Sequence, residues 1–280
     1  MEYSFTQYLS SLPRTPVVKA VQSLYESVDL DDNLAAKFAQ TTFDIYKATT
    51  WIVNKIQDFG EAFIVYMNMK LDSPNDNYTA TIPFKFADMG LSDDFVKLLP
   101  PTLYLSFRRP PKNSSFTDLA YSDTSGLLAD FIEDGSAKYA STGIYIYPGM
   151  DTLDTIIKAI RWLLPHELRH VVDTCDNATI QLMSNCLQHN NESRLNGKFS
   201  TYWDDPGEYN ARLSEVLGYA LYSLTDERIR KKFHSAKELV DKLVNTDLYK
   251  QAVGDVDDNA KAVFRKNIEL ILSKLMNKLI

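Results

Sequence analysis

The spacing of apolar residues predicts helices in the first part of the chain. An apolar stripe at helical spacing begins after Asp31 or Asp32, either of which can cap a helix, and ends at Gly60. A shorter helix is expected before it, from Pro16 to about residue 27. The stripe of the longer helix consists of Leu34, Phe38, Ile45, Ile52, Ile56 and Phe59.

After Gly60 the apolar residues alternate, which is typical of strands. Pro83 predicts that its strand lies at a sheet edge or carries a bulge. A short helix is expected near residues 93–99, a loop at 108–123, another short helix at 125–134 and a last strand at 143–147. The inward residues of the first three strands are Phe63, Val65 and Met67, then Tyr78, Ala80, Ile82, Phe84 and Phe86, then Leu103, Leu105 and Phe107.

A long amphipathic helix is predicted next, capped by Asp151 and kinked where it passes through Pro165. His166, His170 and Asp173 lie roughly opposite its apolar stripe, so one side can face a cleft. The stripe consists of Leu153, Ile157, Ile160, Leu164, Leu168 and Val171. Further helices are expected at residues 177–188, 206–224, 226–243 and 257–279, with a polar loop at 190–197.

These elements together predict an α+β fold with three parts. Residues 1–59 form an N-terminal helical segment, residues 60–225 a core with a small mixed sheet, and residues 226–280 C-terminal helices that pack on the core. The expected core contains all the strands and the long amphipathic helix.

Composition and charge narrow the classes of function. Apolar residues make up 45% and charged residues 24%, which is ordinary for a globular protein. The net charge of −7 counts against general affinity for nucleic acid or an anionic membrane. No secretory signal and no membrane-spanning run is found, so a cytoplasmic location is expected, with virion association if the protein is viral. Cys175 and Cys186 form no metal-binding or redox motif.

The chemistry of the chain is concentrated in a His-Glu-x-x-His motif. On a helix, His166 and His170 project from one face about one turn apart, and two neutral imidazoles at this spacing can bind one Zn²⁺. Glu167 lies between them, where its carboxylate can take a proton from a water on the metal. Since the chain has only four histidines, this pattern indicates a zinc site rather than a charged helix surface.

A catalytic zinc also needs a third protein ligand. Glu208, in the first turn of the next long helix, is favoured, although it can also belong to a capping box. Glu215 lies two turns later on the same face, and Asp176 lies six residues after the second histidine. Asp176 is the least favoured, because position 173 is not the glycine that a tight turn would need. The three alternatives stay open.

The order of these features resembles the zincin metallopeptidases of the glutamate-ligand group, the gluzincins. The run from Pro206 to Arg212 looks like the Pro-x-Glu-x-x-Ala-Arg signature of small phage and bacterial zincins. The resemblance covers roughly residues 140–225 and implies a zincin-like catalytic core. The chain departs from the pattern at Arg169, which is usually uncharged, and at Pro165, directly before the first ligand.

The resemblance implies a zinc metallopeptidase acting on a peptide or protein. His166, His170 and Glu208 would bind Zn²⁺, and Glu167 would be the general base. Candidates for stabilising the oxyanion are Tyr202, which is favoured, Tyr209 and Arg212, and Asp173 would orient a histidine. The strand at residues 144–147 would pair with an extended substrate. The alternatives are a non-catalytic binding or structural protein on a zincin scaffold, and a zinc amidase acting on cell-wall peptide.

Overall fold

A computed structural model describes residues 32–74, 78–109, 120–123, 139–147, 152–175, 206–253 and 258–279. The chain divides into two compact units, one of which is Thr42–Cys175; the other combines the residues before and after it. Helices and a four-stranded sheet make up the described residues, which confirms the α+β class. The predicted boundaries at residues 60 and 226 stay predictions. The helices expected at 16–27, 125–134 and 177–188 and the loop at 190–197 lie outside the described residues.

Helix α1, Asp32–Phe59, confirms the first long apolar stripe. From Phe38 to Ile56 the side chains of the predicted stripe are buried, whereas Phe59 is 58% exposed. The prediction for Phe59 is wrong because the helix ends there and the chain changes direction at Gly60, whose φ of 53° favours glycine. The buried members of the stripe are Phe38, Ile45, Ile52 and Ile56.

Helix α2, Glu61–Leu71, occupies the segment predicted to be the first strand, and that prediction is wrong. Phe63, Met67 and Leu71 are buried at a spacing of four, while Val65 is 68% exposed. An unbroken apolar run satisfies both the strand and the helix period, so alternation alone could not distinguish them. Met, Leu, Ala, Glu and Lys in this segment all favour the helix.

The sheet contains strands β1, Thr79–Lys85; β2, Thr102–Arg108; β3, Ala120–Asp123; and β4, Ala140–Tyr145. Their order is β1-β2-β4-β3, with β2 and β4 parallel and the other pairs antiparallel. Pro83 lies on β1, which is an outer strand among those described, in agreement with the predicted edge position. Strand β3 falls where a loop was expected, and β4 begins three residues before the predicted start at residue 143.

One face of the sheet forms the core of the unit Thr42–Cys175. Leu103, Leu105 and Phe107 on β2 are fully buried, which confirms that they share an inward face. Between β1 and β2 the chain forms a 3₁₀ turn, Phe86–Met89, and the predicted short helix α3, Asp93–Leu98. The α3 cap, Ser92, donates to the buried carboxylate of Asp44 on α1 through its amide, at 3.1 Å, and its hydroxyl, at 2.7 Å.

The helix Leu153–Cys175 (α4) follows the sheet and is followed in the described residues by α5, Pro206–Thr225. The helix expected at 226–243 is two helices, α6, Glu227–Arg230, and α7, Ala236–Leu243. Ser235 interrupts it because its hydroxyl caps α7 by accepting from the Glu238 amide at 3.3 Å. Helix α8, Asp247–Val253, was not predicted, whereas α9, Asp258–Leu279, was. None of the helices described is both long and apolar enough to cross a membrane.

Candidate metal centre

Helix α4 begins with a local cap. The hydroxyl of Thr152 accepts from the amide of Thr155 at 3.3 Å, and the Thr152 amide donates to the Thr155 hydroxyl at 3.2 Å. This reciprocal pair resembles a capping box with threonine in the third position. The cap is therefore Thr152, one residue later than the predicted Asp151, which lies outside the described residues.

The apolar side of α4 packs on β3 and β4, and this contact fixes the helix on the sheet. The predicted stripe is buried from position 157 onward, and Leu153 is half-buried. The helix continues through Pro165, which has no amide hydrogen to donate to the carbonyl of residue 161. The predicted single helix is thus confirmed, with His166 directly after the buried proline.

The two histidines of the motif meet at their outer nitrogens. The Nε2 atoms of His166 and His170 are 3.2 Å apart, and their rings lie 77° from parallel. If a zinc ion lay about 2.0–2.1 Å from each nitrogen, the angle between the two nitrogens at the ion would be roughly 100–106°, close to the tetrahedral value. The same distance permits a hydrogen bond between one protonated and one unprotonated nitrogen. Both rings are half-buried, and their geometry fits two ligands of one metal ion.

Glu167 is buried, whereas the two histidines of the motif are half-buried. Its relative exposure is 6%. Glutamate is rarely buried to this degree unless it is paired or hydrogen-bonded, because removing a carboxylate from water is costly. Its burial in the histidine helix agrees with a role in a shielded site, where a base is less solvated than in bulk water.

Arg169 and Asp173 form a buried ion pair on the same helix. The Arg169 Nη2 lies 2.7 Å from the Asp173 Oδ1, and the two side chains are only 11% and 3% exposed. The expectation that Asp173 orients a histidine did not include this arginine. The spacing of four between opposite charges was the signal in the sequence that could have revealed the pair. The charge of Arg169, unusual for the motif, therefore has a partner within one turn.

The remaining predicted site residues lie outside α4. Arg212 and Glu215 are half-buried on α5, and Glu208 lies on the same helical face in its first turn, but its side chain is not among those described. Tyr202 and Asp176 lie outside the described residues. Among the side chains that are described, no group of three His, Cys, Asp or Glu is placed to hold a metal ion. The structure thus brings the rings of His166 and His170 together, with the buried Glu167 next to His166 in the same helix, and leaves the third ligand a prediction.

The strand predicted to bind substrate, residues 144–147, overlaps β4, and at Ile144 it has a paired neighbour on both sides; for residues 145–147 the prediction stays a prediction. Ile144 of β4 is paired with Phe107 of β2 on one side and with Ala120 of β3 on the other. The short segment β3 could not be recognised because its sequence follows a loop-like run. In the described sheet the outer positions belong to β1 and β3, and α4 packs beside β3.

The chain matches no protein-family model, no curated protein and no solved structure. The likeness to the zincins therefore remains one of motif and spacing over roughly residues 140–225. What can be argued about function depends on the residues of α4 and on the strand beside them.

Proposed function

We propose that this protein is a zinc-dependent peptidase whose metal is bound by His166 and His170. The observation that supports this most directly is the 3.2 Å separation of their Nε2 atoms, which matches two ligands of a tetrahedral ion. Glu208 is the third ligand that we favour, on the basis of sequence alone. The buried Glu167 between the histidines favours a catalytic over a structural site, because a structural zinc has no use for a neighbouring base.

In this proposal the residues of the chain have separate tasks. Zinc, when bound, supplies a water of lowered pKa, near 7, and polarises the carbonyl of the substrate. Glu167 would accept the proton of the attacking water and deliver it to the departing amine. Tyr202 or Arg212 would donate a hydrogen bond to the carbonyl oxygen as negative charge develops on it.

Strand β3, which is an outer strand of the part of the sheet that the structure describes, is the substrate-binding element that we now favour. An edge strand presents backbone amide and carbonyl groups that an extended peptide can pair with. Because α4 packs on β3 and β4, a peptide added to β3 would lie next to the helix that carries the histidines. This arrangement supports a peptide, rather than a small molecule, as the substrate.

The proposal is tested by separating metal binding from cleavage. Wild-type protein should hold one zinc by elemental analysis and cleave an unfolded, fluorescently labelled protein. Glu167→Gln should keep the zinc and lose at least about 100-fold in cleavage rate, the lower end of what a general base contributes. Glu227→Gln, a change of the same kind at an exposed ion pair with Lys231, should alter neither measurement.

The ligand assignment needs a second set of variants. His166→Ala and His170→Ala should each lose zinc, while His234→Ala should retain it. Loss of zinc in Glu208→Ala but not in Glu215→Ala or Asp176→Ala would support Glu208. Unchanged zinc content in both histidine variants, or equal cleavage by wild type and Glu167→Gln, would refute the proposed function.

A further inference from the structure

The ion pair of Arg169 and Asp173 lies among the residues of the proposed metal site. Arg169 is three residues after His166, and Asp173 is three residues after His170, so each is a direct neighbour on the helix surface. Such neighbours have Cβ atoms about 5–6 Å apart. Both charges of the ion pair are therefore carried by residues that neighbour the histidines on the helix.

The two charges of the ion pair have opposite effects on a cation bound by the histidines. A guanidinium keeps its positive charge at every pH at which the protein is folded. A positive charge next to a divalent cation weakens binding of that cation, and the effect is largest where side chains are buried, as they are here. Asp173 contributes one negative charge and holds the guanidinium at its own carboxylate, one turn beyond Arg169 toward the end of the helix.

We propose that Asp173 is a positioning residue that holds the Arg169 guanidinium at its own carboxylate and balances its charge beside the histidine pair. The metal site then behaves electrostatically as though position 169 were uncharged. This inference rests on the proposed function, since it requires that the histidines bind zinc. It concerns metal affinity, and so it can be measured without any assay of cleavage.

The same helix offers a matched control. Asp154 forms an ion pair with Lys158 at 2.6 Å, also at a spacing of four, but with side chains 76% and 72% exposed. It lies twelve residues before His166, which is about 18 Å along a helix and well beyond the screening length of about 8 Å at physiological salt. Asp154→Asn therefore makes the same chemical change without reaching the metal site.

The test is a zinc titration in competition with a chromophoric chelator, on variants shown to be folded by circular dichroism. Asp173→Asn should bind zinc at least about tenfold more weakly than wild type, the lower limit for residues that support metal ligands. Asp154→Asn should bind as wild type does. Arg169→Gln, which removes the positive charge, should bind zinc at least as tightly as wild type. The double variant Arg169→Gln/Asp173→Asn should have a zinc affinity within about threefold of wild type.

The outcomes separate the two proposals. If wild-type protein binds no zinc, the proposed function and this inference both fail. If wild type binds zinc and Asp173→Asn binds it equally well, only the inference fails. If the double variant remains as weak as Asp173→Asn, Asp173 acts by packing and not by charge, which also overturns the inference. If Asp173→Asn does not fold, the comparison of Arg169→Gln with wild type decides, and weaker binding by Arg169→Gln contradicts the inference.

Discussion

The two ion pairs on α4 should differ strongly in what they contribute to stability. Arg169–Asp173 and Lys158–Asp154 have nearly the same distance, 2.7 and 2.6 Å, and the same spacing, and they differ mainly in burial. Removing one partner of a buried pair leaves a buried charge and costs about 3–5 kcal/mol. Removing Asp154 costs about 0.3–0.5 kcal/mol for the exposed pair, and a further 0.3–1 kcal/mol or so because it lies in the first turn of the helix.

Urea denaturation in the presence of a chelator measures this difference directly. With a dependence of about 2 kcal/mol per molar urea, a loss of 4 kcal/mol lowers the midpoint of Asp173→Asn by about 2 M. Asp154→Asn should shift the midpoint by roughly 0.5 M. The double variant Arg169→Met/Asp173→Leu should be about as stable as wild type, because no charge is left buried without its partner.

Two results would refute this reasoning. Equal midpoints for Asp173→Asn and Asp154→Asn would show that the Arg169 pair is not shielded from water as the structure has it. A double variant as unstable as Asp173→Asn would show that the loss comes from altered packing of the side chains, and not from an unpaired charge.

Further predictions concern the two left-handed glycines and the buried cysteine of the same unit. Gly60→Ala should lower the free energy of unfolding, measured by urea denaturation, by about 1–3 kcal/mol, because its φ of 53° and ψ of −128° suit only glycine. The new Cβ would meet no clash, since its nearest neighbour is the Gln57 carbonyl oxygen at 3.7 Å, so the loss would come from backbone strain alone. Gly90 has φ 64° and ψ 35°, and a Cβ added there would have nothing within 4 Å. Gly90→Ala should therefore lower the free energy of unfolding by about 1–2 kcal/mol, and Gly90→Asn by less, because asparagine tolerates this left-handed conformation. Equal losses for Gly60→Asn and Gly90→Asn would contradict this reasoning. Burial raises the pKa of the Cys175 thiol from 9.0 to about 12, so in a Cys186→Ser background it should resist iodoacetamide at pH 8 until the protein unfolds. Because the pKa of the Cys175 thiol is higher in the folded than in the unfolded protein, the free energy of unfolding should fall by up to about 4 kcal/mol as the pH rises from 9 toward 12. Cys175→Ala should lack this pH dependence.

The helix that carries the candidate site could be predicted because many residues agree on it. Its stripe from Leu153 to Val171 spans five turns, and a pattern of that length outweighs one proline. The segment from Phe63 to Met67 is short and apolar throughout, and the core position of its residues was decided by contacts with distant parts of the chain. Local patterns could not supply those contacts.

The sheet order and the buried ion pair show the same limit. Strand β4 pairs with β2 across a separation of 37 residues between Leu103 and Ala140, and alternation in either strand says nothing about its neighbour. Asp173 was expected to orient a histidine. Its burial with Arg169 depends on what covers that turn of the helix, which the helical spacing does not reveal.

Helix α4 is at once the carrier of the histidines and a wall of the core. Ile160, Leu164 and Leu168 on it are at most 2% exposed, so the fold needs the helix whether or not a metal is bound. Selection on folding alone would therefore preserve its apolar stripe in a descendant that had lost catalysis. The histidine pair has no such protection, since half-buried imidazoles contribute little to the core. Among homologues of this chain, retention of His166 and His170 would report on selection for chemistry, whereas retention of the helix would report only on selection for the fold.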